Sequence, residues 1–110
     1  MDVLQFALCD DEPDQRALLG GLVRQYLEGR PGLSARLSLF SGGAELLSQV
    51  EAVGGFDLYL LDIIMPGFSG IDLGLRLREL GEDGPILYLT TSPEYAVDSY
   101  LAQAFYYRCG

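Results

Sequence analysis

Five short apolar runs separated by four stretches of helical period make up this chain, and that alternation restricts its fold more than any other feature. Residues 3–9 (VLQFALC) read as a buried strand that ends in Asp10-Asp11-Glu12. Pro13 suits the first turn of a helix, where a missing N–H has no cost. Leu18, Leu22, Tyr26 and Leu19, Val23, Leu27 then form two adjacent rows at i, i+4 spacing. Gly20 and Gly21 each weaken this helix by up to ~1 kcal/mol, so either something packs closely against them or the helix is marginal. Gly29-Arg30-Pro31-Gly32 stops it. Residues 33–40 alternate, with Leu33, Ala35, Leu37 and Leu39 on one parity, which predicts an edge strand with one wetter face. Leu46, Leu47, Val50 and Val53 fit a short helix closed by Gly54-Gly55. Residues 57–62 form the third and most continuously apolar strand, and 66–70 a Gly/Pro/Ser loop. The spacing then predicts a helix over 71–80, a turn over 81–84 and a strand over 85–91. A helix opened by Pro93, carrying Ala96, Val97, Tyr100 and Leu101, precedes a fifth strand over 104–109.

The order β-α-β-α-β-α-β-α-β with near-continuous apolar strands predicts an α/β fold with a five-stranded parallel sheet, covered on both faces and joined by right-handed crossovers. The 110 residues suit one domain, and a hydrophobic fraction of 49% excludes disorder. A net charge of −9 argues against unaided binding to nucleic acid or an anionic membrane. No apolar run approaches the ~18 residues of a membrane span, and MDVLQFALCDDE lacks the pattern of a signal peptide. With no His, and with Cys9 and Cys109 outside any C-x-x-C spacing, neither a zinc site nor Ser-His-Asp catalysis is expected. Both cysteines read as small hydrophobes in a reducing, cytosolic setting.

In a sheet of this kind every strand end that can hold a site lies along one edge. Asp10 and Asp11 end the first strand, Asp62 the third, and Thr90-Thr91 the fourth. Taken singly, Asp10-Asp11-Glu12 is a solvated helix start and Asp62 a loop cap. Taken together, three carboxylates at one rim repel and raise one another's pKa unless a cation intervenes. Oxygen-only ligands favour Mg2+, and a carboxylate can attack phosphorus to form an acyl phosphate. Asp62, alone on the central strand, is the candidate nucleophile. Asp10 and Asp11 suit the metal, and Thr90 can hydrogen-bond a phosphoryl oxygen.

The pieces CDDE (9–12), LLDIIMPGFSG (60–70), LTT (89–91) and Tyr107 resemble the receiver domains of two-component response regulators, and the likeness extends over essentially the whole chain. Residues 91–107 (TSPEYAVDSYLAQAFYY) are similar to receivers attached to LytTR-type DNA-binding domains. The resemblance implies a flavodoxin-like, doubly wound sheet of strand order 2-1-3-4-5. It implies that Asp62 accepts a phosphoryl group from a sensor histidine kinase. Mg2+ would be ligated by Asp11 directly, by Asp10 in part through water, by Asp62, and by the backbone carbonyl of Ile64. Thr90 and Tyr107 would be the switch residues. The protein would be cytoplasmic, would catalyse only its own phosphorylation and dephosphorylation, and would control transcription through an output domain outside this sequence. The family's Lys three positions after the switch aromatic falls on Gly110, the last residue, and Arg108 is an imperfect substitute. The expectation is therefore a receiver over 1–110 that lacks its final helix, whose uncovered sheet face favours self-association or a homodimer. A pseudo-receiver used only for protein contacts is the alternative. A haloacid-dehalogenase-type phosphatase would need an Asp where Ile64 stands. A flavodoxin-like cofactor binder would need a Gly/Ser/Thr-rich loop where CDDEPDQ is acidic.

Overall fold

The computed structural model describes residues 3–67 and 69–89. The expected fourth helix and fifth strand, with Thr90, Tyr107, Arg108 and Gly110, lie outside the described residues. Within them, β1 (Leu4–Cys9), α1 (Pro13–Glu28), β2 (Ala35–Phe40), α2 (Gly43–Val53), β3 (Leu58–Asp62), α3 (Gly70–Glu79) and β4 (Ile86–Leu89) follow in turn. The four strands are parallel in the order β2-β1-β3-β4, as expected for the first four of the proposed five.

The two faces of the sheet explain why β1 and β3 show no apolar alternation. Phe6 and Leu8 with Leu58 and Leu60 meet Leu19, Val23 and Tyr26 of α1 on one face. Ala7 and Cys9 with Tyr59 and Leu61 meet Leu46 and Val50 of α2 and Leu73 and Leu77 of α3 on the other. Residues Phe6–Cys9 of β1 and Leu58–Leu61 of β3 are all buried against one layer or the other, and each large side chain so buried contributes roughly 1.5–3 kcal/mol. No helix among the described residues is long and apolar enough to cross a membrane.

Three of the element boundaries that differ from the sequence pattern have a clear local reason. Leu33, expected to open β2, instead donates its N–H to the Arg30 carbonyl at 2.9 Å and so belongs to the turn after α1. Asp57, expected as the first residue of β3, sits just before it. Its carboxylate accepts the Gln5 N–H at 2.8 Å, and its own N–H donates to the Gln5 carbonyl at 2.7 Å, which pins the start of β3 to β1. Helix α3 starts at Gly70 because Ser69 and Asp72 form a reciprocal cap. The Asp72 N–H donates to Ser69 Oγ at 3.2 Å, and the Ser69 N–H donates to Asp72 Oδ2 at 3.3 Å.

The glycine pair in α1 divides into two cases. A Cβ on Gly20 would lie 3.4 Å from Leu39 Cδ2, so this glycine seats the helix on β2, whereas Gly21 faces open space. Gly21→Ala should therefore stabilise the protein by up to ~1 kcal/mol, read as a higher urea midpoint at unchanged slope. Gly20→Ala should gain less, because Leu39 must give way. A lower midpoint for Gly21→Ala would contradict this placement of the helix.

Candidate metal and phosphoryl site

Strands β1 and β3 run side by side with Cys9 opposite Leu61, so the next residues, Asp10 and Asp62, emerge together at the same sheet edge. Asp10 is fully buried, while Asp11 and Asp62 are half-buried. One carboxylate oxygen from each of Asp10, Asp11 and Asp62 lies within 4.8 Å of the others. The turn after β1 is held from several sides. The Asp10 N–H donates to the Phe40 carbonyl at 3.1 Å. Asp10 Oδ1 accepts the Glu12 N–H at 2.9 Å, and Arg16 Nη1 donates to the Asp10 carbonyl at 2.8 Å. Asp10 Oδ2 is buried with no hydrogen-bond partner among the described residues.

Burial pushes the Asp10 carboxyl up from 3.8 to about 6, the hydrogen bond from the Glu12 amide opposes this, and the charges of Asp62 and Asp11 add to it. Asp62 is raised as well, again chiefly by burial and then by Asp11, against the amides of Ile64 and Ile63. The sequence pattern predicts such shifts from mutual repulsion. Desolvation is the larger cause, because the apolar strands that deliver these carboxylates also remove water from them.

The donor set fits a hard divalent cation. It offers oxygen alone, it is compact, and it includes a buried carboxylate oxygen with no hydrogen-bond partner among the described residues. A cavity of about 400 Å³ opens beside it, lined by Asp11, Glu12, Gln15, Asp62, Ile63, Ile64 and Leu89. The Ile64 side chain is 77% exposed, and no hydrogen bond among the described residues occupies its carbonyl. A second hollow of about 420 Å³, between α2 and α3, is lined by no strand residue and carries no such cluster among the described residues.

Two contributors escaped the sequence argument. Gly70 closes the β3–α3 loop: its N–H donates to the Ile63 carbonyl at 2.8 Å, and a Cβ there would run into the backbone carbonyl oxygen of Asp62. Sequence alone showed only a Gly/Pro/Ser loop. Arg16 has no place in any motif of the sequence. Its signal was its place just after the acidic turn, within side-chain reach of it. Of the expected site residues, Asp10, Asp11, Asp62 and Ile64 line or adjoin one pocket, while Thr90 and Tyr107 lie outside the described residues.

A parallel α/β sheet with an acidic, oxygen-only pocket at the carboxyl ends of its strands defines the class, and comparison with known proteins agrees. A family model, the response regulator receiver domain, matches residues 6–107. The positive alginate biosynthesis regulatory protein of Pseudomonas aeruginosa is 33% identical over 100 residues, 91% of this chain and 38% of that protein. The transcriptional regulatory protein PcoR of Escherichia coli is 30% identical over 105 residues, 87% of this chain and 42% of that protein. The chain thus spans about two fifths of the length of these curated relatives. Response regulator TrrA of Thermotoga maritima, solved in complex with Mg2+-BeF, has a TM-score of 0.69 at 20% identity, over 93% of this chain and 99% of that one. The crystal structure of histidine kinase ThkA in complex with TrrA contains a match at 30% identity and a TM-score of 0.61, over 81% of this chain and 70% of that one. This chain belongs to the response regulator receiver domain family of two-component signalling, with the CheY-like, flavodoxin-like fold.

Proposed function

We propose that this chain is a phosphoacceptor receiver in which Asp62 takes a phosphoryl group from a sensor histidine kinase. The observation that carries this is the meeting of three carboxylates at one sheet edge, one of them with a buried oxygen that has no partner among the described residues. Asp10, Asp11, Asp62 and the Ile64 carbonyl would hold Mg2+. Bound there, the ion offsets the negative charge that the carboxylates and an incoming phosphoryl group would otherwise bring together.

A carboxylate oxygen of Asp62 attacks the phosphorus of a phosphohistidine. The new O–P bond gives an acyl phosphate, the P–N bond breaks, and the imidazole leaves, neutral after taking up a proton. The neighbouring amides of Ile63 and Ile64 favour the charged form of the Asp62 carboxylate, and the half-buried setting limits water at the acyl phosphate. Thr90 and Tyr107 are assigned the switch that reads the phosphoryl group. The exposed Ile64 offers no general acid, which supports a signalling switch over a phosphatase. Transcription would be controlled through a LytTR-type output domain in the cytoplasm. This chain, with a net charge of −9, would make no direct contact with nucleic acid.

Acetyl phosphate supplies the test. With Mg2+ the chain should gain the mass of one phosphoryl group. It should gain none after chelation of the metal, and none as Asp62→Asn. An unmodified parent chain in excess Mg2+ would overturn the assignment and leave the pseudo-receiver reading in its place.

A further inference from the structure

Arg16 stands in the first turns of α1 with its side chain half-buried. Its Nη1 reaches back six residues to the backbone carbonyl of Asp10 at 2.8 Å, while its own N–H donates to the Glu12 carbonyl at 2.8 Å. The Asp10 carbonyl belongs to the peptide unit that joins Asp10 to Asp11. That unit is planar, so holding its oxygen fixes ψ of Asp10 and φ of Asp11 together. The directions in which both side chains leave the backbone follow from those two angles. Glu12 secures Asp10 from the other side, through Oδ1 at 2.9 Å. What remains is Oδ2, buried and without a partner among the described residues.

We propose that Arg16 is a positioning residue for the divalent cation: by holding the Asp10–Asp11 peptide, it makes the free Asp10 oxygen and the Asp11 carboxylate converge with Asp62. Its hydrogen bond goes to a carbonyl, so it occupies no ligand oxygen. A plain helix brace would make the same contact but would not couple it to the metal. The inference rests on the Mg2+-binding reading above. Groups one step removed from a metal commonly set its affinity by tenfold or more when they orient the ligands.

Calorimetric Mg2+ titration of the full chain provides the test, for parent, Arg16→Met and Arg16→Lys, under conditions where circular dichroism shows each to be folded. Arg16→Met should bind Mg2+ about tenfold more weakly, and Arg16→Lys, which keeps a charged donor of similar reach, should stay within about threefold of the parent. The Met deficit should persist in high salt, since it comes from position rather than long-range charge. The amide resonance of Asp11 in the metal-free protein should move in the Met variant and not in the Lys variant. If Arg16→Met does not fold, Arg16→Gln replaces it and must bind at least about threefold more weakly than Arg16→Lys. Parental affinity in a folded Arg16→Met, or equal losses in Met and Lys with an unmoved Asp11 amide, would overturn the proposal alone. A parent that binds no Mg2+ would overturn the metal site and the proposal with it.

Discussion

Gly70→Ala will lose about 1–3 kcal/mol of stability and nearly all phosphoryl uptake from acetyl phosphate. The added Cβ would meet the backbone oxygen and carbonyl carbon of Asp62 and lie 3.1 Å from the Ile63 Cα. These are backbone atoms, so no side chain can rotate out of the way. Either the end of β3 shifts or α3 withdraws. Withdrawal of α3 loosens Leu73 and Leu77, both fully buried. A shift of β3 moves Asp62 itself, and displacements of about 1 Å can cost a reacting group a hundredfold in rate. Gly74→Ala is the control, because its Cβ would meet the Tyr88 hydroxyl, the far end of a side chain that can turn away. It should cost less and leave Mg2+ binding intact. Urea midpoints and intact-mass phosphorylation assays separate the two. A Gly70→Ala protein with the parental midpoint and full phosphorylation would show that the β3–α3 junction is looser than its geometry indicates.

The metal-free protein should become more stable as pH falls from about 7 to about 5, opposite to the usual acid response of salt-bridged carboxylates. Asp10 titrates near 3.8 when unfolded and at about 6 when folded. Between those values the folded state keeps a proton that the unfolded state releases. Its contribution is therefore fully present below 3.8 and lost as pH rises through about 6. Asp62 is displaced in the same direction and adds with the same sign. With solvent screening the effect is on the order of 2 kcal/mol. Saturating Mg2+ at neutral pH should offset the loss by binding the folded state alone and so flatten the profile. Asp10→Asn should be more stable than the parent at neutral pH, lose most of this slope, and bind Mg2+ poorly. The site thus costs stability to assemble, as functional sites commonly do. A metal-free urea midpoint that rises steadily from about pH 5 to about pH 7 would contradict the assignment.

How far the site could be read in advance differs residue by residue. Asp10, Asp11 and Asp62 were legible because each ends an apolar run, and parallel strands deliver all such ends to one edge. The α3 cap was legible in principle as Ser69-x-x-Asp72, yet the Gly and Pro residues around it masked the boundary. The turn role of Leu33 and the side-chain anchor at Asp57 were hidden, because an apolar residue in a turn and a polar one at a strand start carry no periodic signal. The collision space at Gly70 was invisible for a different reason: it depends on how closely α3 returns to β3, and that is set by Leu73 and Leu77 reaching the core.

From the sequence alone follow the order of elements, the parallel sheet over the described strands and the presence of three carboxylates at its edge. Burial on two faces requires strands without alternation, and parallel crossovers bring every strand end to the same side. Only the tertiary structure decided how the three carboxylates differ. Asp10 is fully enclosed with one oxygen unpartnered among the described residues, Asp62 is half-open beside the amides of its own loop, and Arg16 holds the peptide between Asp10 and Asp11. Those differences arise because the groups that surround Asp10 come from the end of β2, the start of α1 and the end of β3. These segments are separate in the chain and meet only when the sheet has formed.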